Sequence, residues 1–377
     1  MKQPDEAKYR VGAVGCGRKG TEHARAYHLN PLTKVVAAAD PDAENLALFC
    51  QRFNVPGYRD YHEMLRKEKI GIASVILPAS VNPQVVIECT RSDVKAICCE
   101  KPMSATLEEA DHMVEECQSR GLKFGCGDLE RNHPEYWKAR QIIESGELGE
   151  VQSINFMQGS GTQMSGGGCQ VFGLIRMFAG DADVAWVIGW VTDDPTSDYD
   201  QGGAGYIRFV NGMEAFIQRK NTAKYGFEVL CERGVFYGDG QYLHMWKAEE
   251  GVDRPTWANL KKVEGVFSET ETLHHGFGIF DEEGWERGGG RQLATIQSMV
   301  DALEMDIEPR GNGDNGRAVL EMAIALRESH RQGHVPVRLP LQDRSLRIIP
   351  VPGRWLNKKE VHGREWYAKE ISRYTRT

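Results

Sequence analysis

Three glycines near the start of the chain have a spacing that lets a backbone approach a phosphate group. Gly15, Gly17 and Gly20 stand between an apolar run and a segment of helical periodicity, in YRVGAVGCGRKGTEHARAY. The first glycine permits a tight turn, the second a close approach to a pyrophosphate, and the third close packing of a helix whose N-terminus faces the phosphates. The basic pair in this loop, Arg18 and Lys19, either steadies the pyrophosphate or is solvated. The spacing predicts a dinucleotide-binding turn.

A carboxylate follows this turn at the distance that dinucleotide binding requires. Asp40 ends the next apolar run, KVVAAAD, twenty positions after Gly20. A carboxylate there accepts hydrogen bonds from both hydroxyls of the adenosine ribose and repels a ribose 2'-phosphate, and the residues that follow, PDAEN, include no arginine. The sequence therefore favours NAD over NADP. The alternative is that Asp40 serves only as the N-cap of the next helix.

The order of elements predicts two domains and a tail. Over residues 1–128, short apolar runs alternate with helical segments, which is typical of strand-helix-strand units and an α/β domain with a parallel sheet. Over residues 129–350, strand-like runs follow one another, which predicts an α+β domain with an open, mostly antiparallel sheet. Two late helices, about Arg291 to Met305 and Asn315 to Arg331, close this second domain. Residues 351–377 are basic and aromatic, and either pack on a neighbouring subunit or are solvated.

Composition excludes several classes of function. The formal net charge of -8 argues against general nucleic-acid binding, which normally needs a basic surface. The first residues lack the apolar core of a signal peptide, and no apolar run is long enough to span a bilayer, so we expect a cytoplasmic protein. The nine cysteines include no CxxC pair and no zinc-ligand spacing, so we expect free buried thiols and no metal site.

A second motif, Glu100, Lys101 and Pro102 in AICCEKPMS, follows a predicted strand. It resembles the EKP motif of the Gfo/Idh/MocA oxidoreductases, the family of glucose-fructose oxidoreductase and inositol dehydrogenase. The resemblance extends through GCGRKGTEHARA, RNHPEYWKARQIIESGELGEV and GRAVLEMAIALRESHRQGHVPVRLPL, up to about Leu341. It implies an N-terminal Rossmann domain and a C-terminal open-sheet domain. Family members often form dimers or tetramers through that sheet, so we expect a homodimer or homotetramer.

The resemblance also implies an activity, because family members mostly use NAD or NADP to oxidise or reduce ring hydroxyls of sugars and cyclitols. It places Lys101 near the nicotinamide, where an ammonium donates to the reacting hydroxyl oxygen. Glu100 and two residues of the preceding loop, Pro78 and Asn82 in LPASVN, are expected beside the cofactor. Asn82 stands where the family has a histidine, so the chain is a divergent member.

Three consecutive glycines precede an apolar segment in SGGGCQVFGLIRMFAGD, residues Ser165 to Asp181. Such a run is expected where the backbone approaches a ligand closely, or in an ordinary turn into a helix. The family usually has an aspartate and a histidine here, and alignment on the arginine and glycine that end the helix places Gly166 and Gln170 in their positions. Glutamine orients a hydroxyl or carbonyl but takes up no proton at neutral pH. The general base is therefore Lys101 or lies elsewhere.

Further candidates for contacting a substrate lie in GDLERNHPEY and TLHHGFG. For each of them a structural role is an open alternative. They are Asp128, Arg131, His133, Tyr136, His274 and His275.

Three functions are compatible with these residues. The first is NAD-dependent oxidoreduction of a ring hydroxyl, at C3, of a pyranose sugar, glycoside or cyclitol. The second is redox-neutral glycoside cleavage by oxidation, elimination, hydration and reduction, which some family branches carry out, including on anionic sugars such as sulfoquinovosides. The third is a non-catalytic NAD-binding protein, against which the retained Lys101 and complete dinucleotide loop argue.

Overall fold

The computed structural model describes residues 7–127, 130–157, 163–192, 194–218, 226–239, 242–268 and 289–350. These residues form two compact units. The first contains residues 7–127 and 289–317, and the second contains the described parts of 130–268 together with 318–348.

The first unit is built on a parallel sheet. Its described strands have the order β3-β2-β1-β4-β5-β6, and every neighbouring pair is parallel. The sheet confirms the predicted α/β domain. Its elements are β1 (Tyr9–Val14), α1 (Arg18–Leu29), β2 (Thr33–Ala39), α2 (Ala43–Phe53), β3 (Gly57–Tyr58), α3 (Tyr61–Lys67), β4 (Ile72–Val75), α4 (Asn82–Cys89), β5 (Ala96–Cys99), α5 (Leu107–Ser119) and β6 (Lys123–Cys126).

The elements that follow β6 belong to the second unit, apart from the helix Gly289–Met305 and the start of the helix Gly313–Arg331, which lie in the first. They are α6 (Pro134–Glu144), β7 (Val151–Phe156), α7 (Gly168–Phe178), β8 (Val184–Val191), β9 (Gly203–Phe209), β10 (Glu214–Ile217), β11 (Phe227–Cys231), β12 (Gly234–Gly238), β13 (Leu243–Ala248), β14 (Leu260–Lys262), α8 (Gly289–Met305), α9 (Gly313–Arg331) and β15 (Val337–Arg338).

The second sheet is mixed but mostly antiparallel, as predicted. Its described strands have the order β14-β13-β12-β11-β7-β10-β9-β8-β15. Among them β7 and β10 pair in parallel, and the other neighbours are antiparallel. Helix α9 covers one face, because Leu326 lies directly against the backbone of β8 at Gly189 and of β9 at Gly205.

Helix α8 differs from its predicted assignment to the second domain. Its buried residues Ile296, Met299 and Val300 belong to the same apolar cluster as Val11 of β1 and Phe49 of α2. The burial of this helix face against the first sheet places α8 in the first unit, although about 160 residues of the second unit precede it in the chain. Contacts this distant in sequence leave no local pattern.

Two chain-wide features complete the description. All nine cysteines are free thiols, of which seven are buried and two, Cys50 and Cys231, are half-buried. Among the helices in the described ranges, none is both long enough and apolar enough to cross a bilayer.

Candidate active site

The glycine turn after β1 is shaped to admit a phosphate-bearing ligand. Gly15 has φ +97°, and a Cβ on it would lie 2.3 Å from the carbonyl oxygen of Ile76. A Cβ on Gly20 would lie 1.9 Å from the carbonyl oxygen of Gly15, so neither position accepts a side chain. Helix α1 begins at Arg18 with Gly17 as its N-cap, and no side chain caps it. Its first-turn N–H groups therefore suit a pyrophosphate.

Asp40 is held against this turn at the end of β2. Its Oδ2 accepts the backbone N–H of Cys16 at 2.7 Å, and its Oδ1 accepts the N–H of Asp42 at 2.7 Å. Burial raises the pKa of Asp40. Each carboxylate oxygen keeps further lone pairs, so ribose hydroxyls remain acceptable partners.

The idea that Asp40 serves only as a helix cap is wrong. Asp42 is the N-cap of α2, and its carboxylate accepts the backbone N–H groups of Glu44 and Asn45. Asp40 lies two residues earlier, only 8% exposed, and its hydrogen bond to Cys16 joins β2 to the glycine turn instead. Its position thus fits the predicted ribose contact.

The basic pair of the glycine turn is held along α1. Arg18 and Lys19 both form ion pairs with Glu22, one turn further along the helix. These partners keep both cations on the first turn of α1, beside the phosphate cradle.

The other predicted cofactor residues lie at the same sheet edge. Strands β1, β4 and β5 are neighbours and parallel, so the loops at their carboxyl ends lie close together. After β4, the N–H of Asn82 donates to the carbonyl of Pro78, and Asn82 Nδ2 donates to the carbonyl of Glu100 at 3.0 Å. Lys101 and Pro102, joined by a cis peptide bond, follow β5 directly. Asn82 is buried, and its hydrogen bonds tie the loop after β4 to the turn after β5.

In the second unit, Gln170 lies in the first turn of α7. Its Oε1 accepts the backbone N–H of Glu130 at 2.9 Å. This bond fixes the carbonyl end of the amide towards Glu130, so the donor end of the amide faces another direction. Glu130, whose side chain is buried with 4% exposure, was missed by the sequence analysis because nothing in GDLERNHPEY distinguishes it from its neighbours.

The loop before α7 is anchored by a buried carboxylate that the sequence did not indicate. Asp200, 1% exposed, accepts the N–H groups of Met164 and Ser165, the hydroxyl of Ser165 and the N–H of Gly202. Three of these four donors belong to the loop, so Asp200 fixes the loop to the segment before β9. Asp200 is one of two aspartates in DYDQGG and lies 35 residues from its loop partner Ser165.

The contacts of the glycine run explain the turn, and the carbonyl of Gly167 accepts the N–H of Gln170. The N–H of Gly166 donates to the carbonyl of Gln163, and its own carbonyl accepts the Cys169 thiol. A Cβ on Gly168 would lie 3.0 Å from the Gln163 carbonyl oxygen. The run therefore closes a compact turn into α7.

Two predicted substrate residues have structural partners within the second unit. The Arg131 guanidinium donates to Asp181 Oδ2 at 2.7 Å and to the carbonyl of Gly173 at 3.3 Å. His133 is the N-cap of α6, and its Nδ1 accepts the N–H of Glu135. Both side chains are buried, and their described contacts are those of structural residues.

Other predictions fall outside the described residues. These are the substrate residues Asp128, His274 and His275, and the tail at residues 351–377. Within the described ranges, no cluster of three histidine, cysteine or acidic side chains is placed to hold a metal ion.

Known proteins resemble the chain in both sequence and fold. A profile for an oxidoreductase family with an NAD-binding Rossmann fold matches residues 9–128. Myo-inositol 2-dehydrogenase of Thermotoga maritima is 24% identical over 256 residues, 61% of this chain and 75% of that protein. The 2,7-anhydro-N-acetylneuraminate hydratase of Escherichia coli is 27% identical over 145 residues, 38% of each chain. The crystal structure of an Agrobacterium radiobacter oxidoreductase with NAD+, L-tartaric acid and magnesium has a TM-score of 0.72 at 16% identity, covering 88% of this chain and 98% of that one.

The ion pair between Arg131 and Asp181 should make the stability of the fold depend on pH. Burial alone would raise the pKa of Asp181, but the hydrogen bonds and charges of Arg131 and Arg140 outweigh it and hold the pKa below its ordinary value of 3.8. A carboxyl whose folded pKa is depressed stabilises the fold above its unfolded pKa, and this contribution is lost as the pH falls through the folded pKa.

We expect Asp181→Asn to lower the free energy of unfolding by about 1 to 2 kcal/mol at pH 7. Asparagine tolerates the left-handed backbone at this position, φ +59°, so the substitution isolates the charge. The difference from the wild type should shrink below pH 4, in urea titrations at several pH values. Asp183→Asn, on an exposed neighbour, is the control. Equal effects of the two substitutions at every pH would contradict the pairing.

Proposed function

We propose that this protein is an NAD-dependent oxidoreductase of carbohydrates, because residues 9–128 match the model of the Gfo/Idh/MocA oxidoreductase family with its NAD-binding Rossmann fold. Its substrate is a pyranose sugar, glycoside or cyclitol, oxidised or reduced at a ring hydroxyl, with C3 as the carbon expected from the family resemblance. One observation carries the proposal. The phosphate cradle at Gly15 and Gly20 follows β1, and the Glu100-Lys101-Pro102 turn follows β5, a parallel strand of the same sheet separated from β1 only by β4.

NAD is the proposed cofactor, and bound NAD supplies the hydride acceptor. The first turn of α1 would hold the pyrophosphate and Asp40 the adenosine ribose. A 2'-phosphate would lie against the Asp40 carboxylate, with no arginine in the following PDAEN segment to compensate its charge.

Lys101 is the proposed catalytic residue. Oxidation of a secondary alcohol releases a hydride from carbon and a proton from oxygen. Neutral Lys101 Nζ accepts that proton, and in the reverse direction the ammonium returns it and stabilises developing negative charge on the oxygen. Gln170, whose carbonyl end is engaged by Glu130, is proposed to orient the substrate through its amide donor.

Redox-neutral glycoside cleavage is the second candidate. Two observations favour it: the absence of aspartate and histidine at Gly166 and Gln170, and the sequence similarity to a hydratase of an anhydro sugar. In this route a ring hydroxyl is oxidised to a ketone, which acidifies the neighbouring C–H. The C1 substituent is then eliminated, water adds to the double bond, and the ketone is reduced by the hydride removed earlier. An anionic sugar such as a sulfoquinovoside belongs to this candidate.

The reaction is proposed to take place in the cytoplasm. The support is the set of free cysteines, most of them buried, which is typical of proteins in a reducing compartment.

A second copy of the chain is proposed to cover the outer face of the second sheet. Trp186, Tyr206 and Phe216 form a row of ring contacts across β8, β9 and β10, with centroids 5.1 and 4.9 Å apart. Phe216 is 40% exposed, while its neighbour along the strand, Ala215, is buried on the opposite face. A contiguous aromatic surface of this kind, exposed at Phe216 and half-buried at Trp186 and Tyr206, is characteristic of a protein interface.

The cofactor assignment predicts an effect of Asp40→Asn. Wild-type protein should bind NAD at least about tenfold more tightly than NADP, and the substitution should reduce this ratio because the charge that repels the phosphate is gone. Calorimetric titration with each dinucleotide measures both constants. Asp42→Asn is the matched control, since asparagine caps a helix as well as aspartate. An unchanged ratio in Asp40→Asn would exclude Asp40 as the discriminating group.

The activity is tested by a substrate panel with NAD. The panel contains free sugars, cyclitols and aryl glycosides, including uronic and sulfonated ones. Net NADH formation supports the dehydrogenase. Release of the aglycone that requires NAD but leaves no net NADH supports redox-neutral cleavage. Binding of NAD without turnover of any member would point to the non-catalytic alternative.

Lys101→Met tests the catalytic group. We expect kcat to fall by at least about 100-fold, because the proton exchange is lost, while NAD affinity changes less than about threefold. Lys95→Met, an exposed lysine at the opposite end of β5, is the control and should retain full activity. Full turnover by Lys101→Met would refute the mechanism for both candidate reactions.

The proposed interface predicts that Phe216→Arg dissociates the protein. Sedimentation velocity should show a dimer or tetramer for the wild type and a smaller species for the variant, because a buried arginine would be unpaired. Val210→Arg, at an exposed position of the turn after β9, is the control and should leave the assembly intact. A wild type that sediments as a monomer would contradict the proposal.

A further inference from the structure

A buried histidine lies beneath the Glu100-Lys101-Pro102 turn, and the proposed chemistry does not use it. His23 is in the second turn of α1 and is 0% exposed. Within the described residues, neither of its ring nitrogens has a hydrogen-bond partner, and neither has Glu100 Oε2. His23 Nε2 and Glu100 Oε2 are 3.9 Å apart. A donor and an acceptor therefore face each other in the interior about 1 Å beyond hydrogen-bond distance.

Such a pair is costly for the folded state. Buried polar atoms without partners lose their hydration and gain no compensating bond, so most proteins avoid them. Apolar side chains of similar volume would pack here without that cost. A state of the protein in which the bond is made would remove this cost.

The surroundings of Glu100 leave its carboxylate a defined place. A Cβ on Gly127 would lie 2.4 Å from Glu100 Oε2 and 3.3 Å from the backbone nitrogen of Lys101, so the carboxylate fills the space of the missing side chain. On the other side, Asn82 donates to the carbonyl of Glu100. The backbone of Glu100 is thus fixed, and its carboxylate is bounded by Gly127 and faces His23.

Helix α1 connects this pair to the dinucleotide cradle. Its N-terminus forms the cradle, Gly20 contacts the carbonyl of Gly15, and His23 follows within one turn. A shift of α1 towards a bound pyrophosphate therefore carries the His23 ring with it. Burial lowers the pKa of His23 despite the nearby Glu100, with Lys19 and Glu22 as the other charged neighbours, so the ring donates as a neutral imidazole.

We propose that His23 is a positioning residue that couples dinucleotide binding at the start of α1 to the Glu100-Lys101 turn. When the cofactor is bound, the ring N–H reaches Glu100 Oε2, fixes the carboxylate against Gly127, and thereby fixes the adjoining backbone of Lys101. The inference rests on the proposed function for its consequence in catalysis but not for the structural coupling itself.

The coupling is tested without turnover by NMR of protein labelled at histidine ¹³Cε1. The signal that is missing from His23→Gln belongs to His23. It should shift when saturating NAD is added to the wild type, and this shift should be lost in Glu100→Gln, with cofactor saturation verified for each protein by titration. An unmoved signal, or an equal shift in Glu100→Gln, would overturn the proposal.

Kinetics then test the consequence. His23→Phe keeps a ring but donates no hydrogen bond, so kcat at saturating NAD should fall by about tenfold, with NAD affinity and substrate KM unchanged. His23→Gln, which can donate, should recover most of this loss. His28→Phe, on the same helix with a half-buried ring, is the control. Lower stability or NAD affinity with intact kcat would mean a merely structural role and would overturn the proposal.

The two experiments separate failure of the inference from failure of the proposed function. A His23 signal that responds to NAD through Glu100, in a protein that turns over no member of the sugar panel, supports the coupling and contradicts the activity. Turnover of a sugar by a protein whose His23 signal ignores NAD supports the activity and contradicts the coupling.

Discussion

The contact between Gly20 and the carbonyl of Gly15 is the constraint on which the rest of the first unit depends. Because a Cβ at Gly20 would lie 1.9 Å from that oxygen, only glycine lets α1 begin this close to the end of β1. The start of α1 then places its free N–H groups beside the turn, and Asp40 locks the turn through the Cys16 N–H. The same helix sets the position of His23 opposite Glu100. The form of the glycine turn, the carboxylate that locks it and the position of His23 opposite Glu100 thus follow from one close approach.

The second unit solves a different problem, that of holding a glycine-rich loop in one conformation. Its solution is a buried carboxylate, Asp200, which receives four hydrogen bonds from the loop and from Gly202. Gln170 begins the helix that follows and is tied to Glu130. A side chain that takes up no proton is therefore rigidly placed, which suits orientation of a substrate better than acid-base chemistry. In the proposed mechanism, proton transfer is therefore assigned to Lys101.

The features that could be predicted from the sequence are local ones. The glycine spacing and Asp40 at a strand end are recognised from the strand-helix periodicity of a few residues, and the alternation of elements predicted both sheets. The Glu100-Lys101-Pro102 turn was recognised by its resemblance to the motif of a known family. The partners of Arg131 and Ser165 lie 50 and 35 residues away, and α8 packs on α1, β5 and β6 from a distant part of the chain, so no periodicity reveals them. The alternative in which Asp40 serves only as a helix cap was wrong because a second aspartate, Asp42, lies two residues further on and caps α2 instead.

Both candidate reactions require transfer of hydrogen between a sugar carbon and the nicotinamide, so detection of that transfer is the decisive experiment for the proposed oxidoreductase. The measurement is a single turnover with a substrate of the panel deuterated at the ring carbon that is oxidised, quenched rapidly and followed by mass spectrometry of the dinucleotide. We expect deuterium on the reduced nicotinamide of the wild type and none in Lys101→Met. Turnover by the wild type without any label on the dinucleotide would contradict it.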